Sequence, residues 1–275
     1  MTDLDPVALR VAYDTKVRAR EPDPVPPGAT TDRDGPLLRI SGLDRGGFLT
    51  YRDLGGLDGP DLDGLIRRQR EFFAARGEAV EWKLHGHDEP ADLGDRLRAA
   101  GFLPEPEETV VIGPAAPLAA TMPVLPEGIR LREVTHRVDL ERIARMEERV
   151  WGDSRGWLAD GLERELAADP DGLSVVVAET GVGAGGAGGG EVVSAGWVRY
   201  VPGTGFATLW GGSTLPAWRR QGIYKALVTH RARLADARGF VYLQVDASDD
   251  SRPVLQRLGF VAVTTTTPYV FDPNR

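Results

Sequence analysis

The chain of 275 residues contains no cysteine. This absence excludes disulfide bonds, a thiolate nucleophile and a cysteine zinc site. No apolar run approaches the ~20 residues that a helix needs to span a bilayer, and the amino terminus lacks the hydrophobic core of a signal peptide. We therefore expect a cytoplasmic protein that does not interact with a membrane.

The chain also has fewer positive than negative side chains: it contains 33 Lys and Arg and 41 Asp and Glu, so its formal net charge is −8. An acidic chain is a poor main partner for nucleic acid, whereas a cationic acceptor such as an amine would suit it. With 41% hydrophobic residues, the chain has the composition of a globular protein and is long enough for two domains with separate cores.

The most informative stretch is 209–227, which reads LWGGSTLPAWRRQGIYKAL. An apolar run interrupted by Gly211-Gly212 predicts a strand with a bulge, and Pro216–Gly222 predicts a turn rich in positive charge. From Ile223 an apolar stripe with helical spacing begins. A strand, a basic glycine turn and a helix direct unpaired N–H groups towards an anion. The two arginines of the turn favour a phosphate or pyrophosphate over a carboxylate.

Arg219-x-x-Gly222 resembles the Arg/Gln-x-x-Gly-x-Gly/Ala signature of the GNAT family of N-acetyltransferases. Thr214-x-Pro216 precedes it, as the Val-x-Pro of that family does, and Leu258-Gly259-Phe260 follows where the family ends its fourth helix. The resemblance covers roughly residues 129–271. It implies a GNAT-like α/β fold, with a mixed central sheet flanked by helices, and acetyl-CoA as co-substrate.

The resemblance also implies which residues contact acetyl-CoA. The loop would hold the pyrophosphate, and backbone groups near the glycine pair would hold the pantetheine arm and the thioester carbonyl. These cofactor-binding residues are Ser213, Thr214, Leu215, Arg219, Arg220, Gln221, Gly222, Ile223, Tyr224, Lys225, Ser248 and Ser251.

Three positions depart from the family pattern. Tyr224 occupies the last small position of the signature, Leu255 stands where the family usually has a tyrosine, and Ser248 stands where it has an asparagine. Leu255 cannot protonate a leaving thiolate, so Ser251 is our candidate for that role. Ser248 and Tyr224 are the other hydroxyls, and a mechanism without any side-chain acid stays open.

A protonated amine cannot attack a thioester, so the site needs a proton acceptor. Asp246, at the end of the strand 242–245, is our first candidate for a catalytic base. Glu147, Glu148 and Asp153, near the helices on the substrate side, are the alternatives. For each of these carboxylates a helix cap, a turn or a solvated helix face is the competing interpretation.

The two halves of the chain share an order of elements. Residues 66–112 predict helix, Arg-Gly, strand, helix, Gly-Phe and strand, and residues 226–271 repeat that order. We interpret residues 1–118 as a degenerate GNAT-like domain, 119–128 as a linker and 129–275 as the catalytic domain. The first-half equivalent of the phosphate loop, 55–61, contains two aspartates and no arginine, so we expect it to repel a nucleotide. That half would instead shape the acceptor pocket or support a dimer.

Other local patterns give expectations that the structure can test. We predict an amino-terminal helix over 5–20 with Val7, Val11, Ala12 and Tyr13 facing the core, and a helix capped by Asp61. We expect a mobile hairpin tip at 181–190, which is rich in glycine and alanine. His85-Gly86-His87 could suit zinc but lacks a third ligand, so we favour a solvent-facing strand end and expect no metal. Trp197, Trp210 and Trp218 favour core or interface roles.

These patterns predict a two-domain N-acetyltransferase that transfers an acetyl group from acetyl-CoA to an amine in a ternary complex. The acceptor, a small molecule or a peptide, and the question of a homodimer stay open. The alternatives are a catalytically silent acyl-CoA sensor, suggested by Tyr224 and Leu255, and a scaffold whose loop binds nothing.

Overall fold

The computed structural model describes residues 4–181 and 190–275. Its α-helices are α1 (Pro6–Tyr13), α2 (Gly59–Ala75), α3 (Leu93–Ala99), α4 (Ala115–Ala119), α5 (Arg137–Trp151), α6 (Gly156–Ala168), α7 (Ile223–Ala237) and α8 (Arg252–Arg257). Its strands are β1 (Thr30–Asp34), β2 (Leu37–Ser41), β3 (Gly47–Thr50), β4 (Val80–His85), β5 (Leu103–Pro104), β6 (Glu108–Pro114), β7 (Ile129–Val134), β8 (Leu173–Thr180), β9 (Val192–Val201), β10 (Phe206–Thr214), β11 (Tyr242–Ala247) and β12 (Val261–Phe271). The expected hairpin tip at 181–190 lies almost wholly outside the described residues.

The chain forms two compact units, which we call the N-terminal and the C-terminal unit. The N-terminal unit contains Met1–Val111, Asp246–Pro253 and Val261–Arg275, and the C-terminal unit contains Ile112–Val245 and Val254–Phe260. Within residues 4–181 and 190–275, no helix combines the length and the apolarity that crossing a membrane requires.

In the N-terminal unit the sheet order is β1-β2-β3-β4-β12, and β5 pairs with β12. β3 and β4 run parallel, so α2 crosses between them and packs its apolar face on the sheet. Leu62, Leu65, Ile66 and Phe73 of α2 are at most 1% exposed. The helix begins at Gly59, two residues before the predicted cap Asp61, and its cap is Asp58, whose side chain accepts the Gly59 N–H at 2.6 Å.

The last strand of the chain belongs to the N-terminal unit. β12 pairs antiparallel with β4, from Thr266 opposite His85 to Phe271 opposite Val80. The compact units therefore do not follow the predicted ranges 1–118 and 129–275 along the chain. The helix α4 (Ala115–Ala119) ends at the first residue of the predicted linker, 119–128.

In the C-terminal unit the sheet order is β7-β8-β9-β10-β11. Antiparallel pairing runs from β7 to β10, whereas β10 and β11 are parallel, with Phe206 opposite Tyr242. α7 makes the crossover between these parallel strands. Its buried residues Ile223 and Leu227 join a core built from α5, α6 and the strands. The apolar stripe from Ile223 thus predicts α7 correctly.

The prediction for the amino-terminal helix was partly wrong. Tyr13 is buried as expected, but Val7 and Val11 are 60% and 57% exposed, whereas Leu9 is buried. The helix continues through Asp14–Arg18 as a π-helical turn, which rotates its later residues relative to an ideal α-helix. Arg18, the last residue of this turn, is buried.

Candidate active site

The amino terminus of α7 presents unpaired backbone N–H groups. Within the part of the chain that the structure describes, the N–H groups of Gln221, Gly222 and Ile223 have no hydrogen-bond partner. Gly222 is the N-cap at φ +84°, and no side chain caps the helix. Arg220, at φ +62°, is the one non-glycine residue with positive φ among the described residues. Such strained backbone next to uncapped N–H groups is typical of an anion-binding loop.

Positively charged and polar side chains surround these N–H groups. Arg219, Arg220, Gln221 and Lys225 are exposed. Arg219 Nε donates to the carbonyl oxygen of Thr214 at 3.0 Å, which holds this arginine beside the end of β10. Gln221 Nε2 donates to the Ala217 carbonyl at 3.0 Å and closes the turn. The loop therefore combines main-chain donors, guanidinium groups and the positive end of a helix dipole.

A β-bulge interrupts β10 just before this loop. The register with β9 shifts between Gly211 and Ser213, which leaves Gly212 without an opposite residue. Both glycines have positive φ, and aromatic rings occupy the space that side chains would need. A Cβ on Gly211 would lie 2.5 Å from Trp197 Cζ3, and one on Gly212 would lie 2.8 Å from Tyr224 Cε2. Only glycine fits at these two positions.

Arg231 of α7 ties the bulge to the helix. Its side chain is 1% exposed, and its Nη1 donates to the carbonyl oxygens of Trp197 at 3.2 Å and Trp210 at 3.0 Å. Burial lowers the pKa of Arg231 to about 10. The sequence analysis missed this residue, although it stands four residues after Leu227 on an otherwise apolar stripe. A charged residue at a core position was the available signal.

A buried carboxylate also reaches the bulge. Glu147 of α5 is 4% exposed, and its Oε2 accepts hydrogen bonds from Trp151 Nε1 at 2.7 Å and from Ser213 Oγ at 3.0 Å. Burial raises the pKa of Glu147, and the two hydrogen bonds oppose that shift. We call Glu147, Trp151 and Ser213 the Glu147 cluster. It joins a proton-accepting group to the strand position at which the bulge ends.

Comparison with known proteins now identifies the domain. Residues 139–260 match the model of the acetyltransferase (GNAT) family. This segment is a GNAT domain. Members of the family transfer an acetyl group from acetyl-CoA to an amine. The match includes the bulge, the loop before α7 and Glu147.

Solved structures resemble the whole chain. A GCN5-related N-acetyltransferase from Kribbella flavida aligns with TM-score 0.65 and 16% identity over 96% of this chain and 95% of its own. A GCN5-related N-acetyltransferase from Sphaerobacter thermophilus aligns with TM-score 0.59 and 15% identity over 88% of this chain and 82% of its own. A tandem GNAT protein from the clavulanic acid biosynthesis pathway aligns with TM-score 0.60 and 14% identity over 98% of this chain and 96% of its own. The predicted fold class and the tandem form are thereby confirmed. A comparison with functionally curated proteins finds no match.

Two neighbours of the GNAT-domain bulge make hydrogen bonds within the protein. Thr214 Oγ1 lies 2.8 Å from Ser194 Oγ, and the Leu215 N–H donates to the Val193 carbonyl at 2.9 Å. The Leu215 N–H is therefore already used in the pairing with β9, and the predicted contact of Leu215 with acetyl-CoA stays a prediction. Ser213 and Thr214 stay candidates for contact with the co-substrate.

The remaining predicted site residues belong to the N-terminal unit. The Asp246 carboxylate forms an ion pair with the ammonium group of Lys83. Burial disfavours the charged form of Lys83, but attraction to Asp246, Tyr13 and Glu81 prevails and raises its pKa above the ordinary value. Ser248 Oγ and Ser251 Oγ lie 3.2 Å apart. Their catalytic and binding roles in the GNAT reaction stay predictions.

His85 is the last residue of β4, and His87 follows the strand. The expectation of a solvent-facing strand end was wrong for His85. His85 is 1% exposed, its Nε2 lies 3.2 Å from Tyr13 Oη, and burial lowers its pKa to about 2. His87 contacts Thr264 at 2.7 Å and Asp14 at 3.0 Å. Within residues 4–181 and 190–275, no group of three or more His, Asp or Glu side chains is arranged to hold a metal ion.

The three tryptophans differ in environment. Trp197 is buried in the core of the GNAT domain, as expected, and Trp218 packs against that core at partial exposure. Trp210 is 46% exposed and lies under the Arg199 guanidinium, whose Cζ is 4.8 Å from its ring centroid. The surface of Trp210 is therefore already paired with a cation of the protein.

Proposed function

We propose that this chain is an N-acetyltransferase that transfers an acetyl group from acetyl-CoA directly to an amine, with both substrates bound together. The observation that supports this most strongly is the uncapped start of α7. The free N–H groups of Gln221, Gly222 and Ile223 would bind the pyrophosphate, and Arg219, Arg220 and Lys225 would neutralise its charge.

The bulge of β10 would receive the thioester. Gly212 has no opposite residue on β9, so the pantetheine arm can pair with the edge that the bulge opens. The predicted contacts from Ser213, Thr214, Ile223 and Tyr224 belong to this proposal. Since the chain has no cysteine, a cysteinyl acyl-enzyme is excluded and direct attack by the amine is the simplest route.

The acceptor in this proposal is an amine that must lose its proton before it attacks. A chain with a net charge of −8 attracts cations over long range, which favours a positively charged acceptor. The attack gives a tetrahedral intermediate, from which the CoA thiolate departs and leaves the acetylated amine.

Two variants of Gly222 test the binding loop. Gly222 has φ +84°, and a Cβ there would lie 3.2 Å from the Val124 carbonyl oxygen, so Gly222→Asn and Gly222→Asp share the same strain and shape. They differ in one negative charge next to the pyrophosphate. We expect Gly222→Asp to bind acetyl-CoA at least about tenfold more weakly than Gly222→Asn, a difference of about 1.4 kcal/mol.

The measurement is isothermal titration of acetyl-CoA, with circular dichroism to show that both variants are folded. Equal affinity of the two variants would remove the loop from the proposal. Failure of acetyl-CoA to bind the natural chain, or to raise its melting temperature, would support the scaffold alternative.

A catalytically silent acyl-CoA sensor is the second candidate. The observation that favours it is Leu255, which is fully buried and stands where the family usually has a tyrosine. A leucine cannot donate a proton to the leaving thiolate. An assay of CoA release with a panel of amines distinguishes the acetyltransferase from the sensor. Because the chain has no cysteine, a thiol reagent reports released CoA without a protein background. Tight binding without release would favour the sensor.

A further inference from the structure

The Glu147 cluster has a defined direction of hydrogen bonding. A carboxylate only accepts, so the Ser213 hydroxyl must donate its hydrogen to Glu147 Oε2, 3.0 Å away. Trp151 Nε1 only donates, and it reaches both Glu147 Oε2 at 2.7 Å and Ser213 Oγ at 3.2 Å. With its own hydrogen committed to Glu147, the partly exposed Ser213 has a lone pair available to accept another hydrogen.

Glu147 is poorly satisfied as an anion. Its Oε1 is buried and, among the described residues, has no hydrogen-bond partner. An unpaired carboxylate oxygen in the interior is costly, so the site favours uptake of a proton. Burial accordingly raises the pKa of Glu147, while Arg155 lowers it and Asp153 raises it from the loop after α5. Hydrogen bonds from Ser213 of the facing strand β10 and from Trp151 of α5 also lower the pKa of Glu147.

We propose that Ser213 and Glu147 form a proton relay that deprotonates the attacking amine. This inference rests on the proposed function, which brings the thioester to the bulge of β10. As the nitrogen forms its bond to the thioester carbon, an N–H bond breaks and its proton goes to Ser213 Oγ. The Ser213 O–H bond breaks at the same time and its proton goes to Glu147 Oε2. The CoA thiolate leaves with the electron pair of the C–S bond, and Glu147 later returns its proton to solvent.

The relay assigns the base differently from the sequence prediction. The carboxylate of Asp246 is held in an ion pair by Lys83, whereas Glu147 has a free oxygen and a hydroxyl aimed at it. An acceptor that arrives as an alkylammonium ion loses one proton to solvent before the attack, and the relay then takes the second proton from the neutral amine.

The experiment compares Glu147→Gln and Ser213→Ala with a control, Glu141→Gln. Glu141 lies on the same helix, is half-exposed and pairs with Arg137, so the control removes one negative charge away from the bulge. CoA release is measured with acetyl-CoA alone, where water is the acceptor, and with spermidine, glucosamine and a glycyl peptide. Titration of acetyl-CoA measures binding separately.

We expect both relay variants to lower kcat on the order of 100-fold or more, and we expect Glu147→Gln to keep the KM and Kd of acetyl-CoA within about twofold of the natural chain. The control should keep full turnover. The pH profile of hydrolysis gives a second readout, which a merely structural role of Glu147 would not change. Water does not titrate in the working pH range, so any loss of rate at low pH comes from a group of the protein. The natural chain should lose rate as the pH falls through the raised pKa of Glu147, and Glu147→Gln should lack this limb.

Turnover of Glu147→Gln within twofold of the natural chain, with the acidic limb intact, would overturn the relay. So would an acetyl group on Ser213 detected by mass spectrometry, or binding of acetyl-CoA by the natural chain without CoA release from any mixture. If Glu147→Gln does not fold, Ser213→Ala decides alone: loss of the limb supports the relay and its retention overturns it. No binding of acetyl-CoA by the natural chain would instead refute the proposed function.

Discussion

The helix α2 of the N-terminal unit and the helix α7 of the C-terminal unit both cross between parallel strands, yet they begin differently. The Asp58 carboxylate caps α2 by accepting the Gly59 N–H at 2.6 Å, and the Asp53 carboxylate accepts the Gly55 N–H at 3.0 Å. Gly222, at the start of α7, has no side chain with which to cap the helix.

This difference shows that a strand–loop–helix scaffold is not by itself an anion site. In the N-terminal unit the donors are satisfied by carboxylates of the same loop, and Arg96 neutralises Asp58 and Asp63 at 3.2 and 2.9 Å. In the C-terminal unit the donors are open and the nearby charges are positive. The aspartates of the first loop act as internal substitutes for an anion, in addition to repelling one.

The strands that precede the two loops also differ. β3 keeps a continuous register with β2, from Leu38 opposite Thr50 to Ile40 opposite Phe48. β10 has nine residues and a bulge with two glycines at positive φ. The bulge therefore distinguishes the unit that we propose to be catalytic.

The largest effect should come from filling the bulge. Gly212→Ala places a methyl group 2.8 Å from Tyr224 Cε2 at φ +89°, whereas Gly56→Ala in the first loop has φ +76° and no atom within 4 Å. Both variants should lose about 1 kcal/mol to backbone strain. Only Gly212→Ala should also lose acetyl transfer, on the order of 100-fold. CoA release and urea unfolding measure the two effects, and equal transfer rates in both variants would remove the distinction.

The next effect concerns the buried guanidinium that ties the bulge to α7. Arg231→Met would leave the carbonyl oxygens of Trp197 and Trp210 without this donor, at a cost of about 1–3 kcal/mol in unfolding free energy. The control, Arg233→Met, removes a partly exposed arginine of the same helix whose Nε donates to the Ala119 carbonyl at 3.0 Å. We expect a smaller loss there. An Arg231 variant as stable and as active as the control would show that the bulge stands without this tie.

Acid should lower the stability of the C-terminal unit by protonating the carboxylate of an ion-pair cluster. Glu179 is fully buried and forms ion pairs with Arg130, Arg132 and Arg142. Burial opposes ionisation of Glu179, but these arginines prevail and lower its pKa below the ordinary value of 4.5. Its stabilising contribution is therefore fully present above pH 4.5 and is lost as the pH falls through the lowered pKa.

The urea midpoint of the natural chain should therefore drop as the pH falls below 4.5. Glu179→Gln should be less stable at pH 7 and should lose less of its remaining stability on acidification. Parallel curves for the two proteins would show that this cluster does not carry the acid sensitivity.

The smallest effect should come from the cap of α2. Asp58→Ala removes the acceptor of the Gly59 N–H and should cost about 1 kcal/mol of stability in the N-terminal unit. Acetyl-CoA affinity should not change, because this loop is not the nucleotide site in our proposal. A second molecule of acetyl-CoA bound to Asp58→Ala by titration would show that the capping carboxylate alone had closed a functional anion site.

Local patterns in the sequence predicted the strand with a bulge, the turn and the helix within residues 209–227. The helix α7 begins at the predicted Ile223, because the spacing of its apolar residues is a local property of the sequence. The sequence did not reveal the contact of Tyr224 with Gly212, because that contact depends on how α7 packs on the bulge. The partners of Asp246 and Glu147 were hidden for the same reason, since Lys83 and Ser213 are distant in sequence.

The position of β12 bears on how the protein is made. β4 finds its antiparallel neighbour only when residues 266–271 have been synthesised, almost two hundred residues later. While the ribosome is still translating, the first unit exposes a sheet edge that has no native neighbour, and such an edge is prone to wrong pairing. Cellular yield of this protein should therefore depend on chaperones that shield the nascent chain, and a premature stop codon before residue 266 should damage the unit that was translated first.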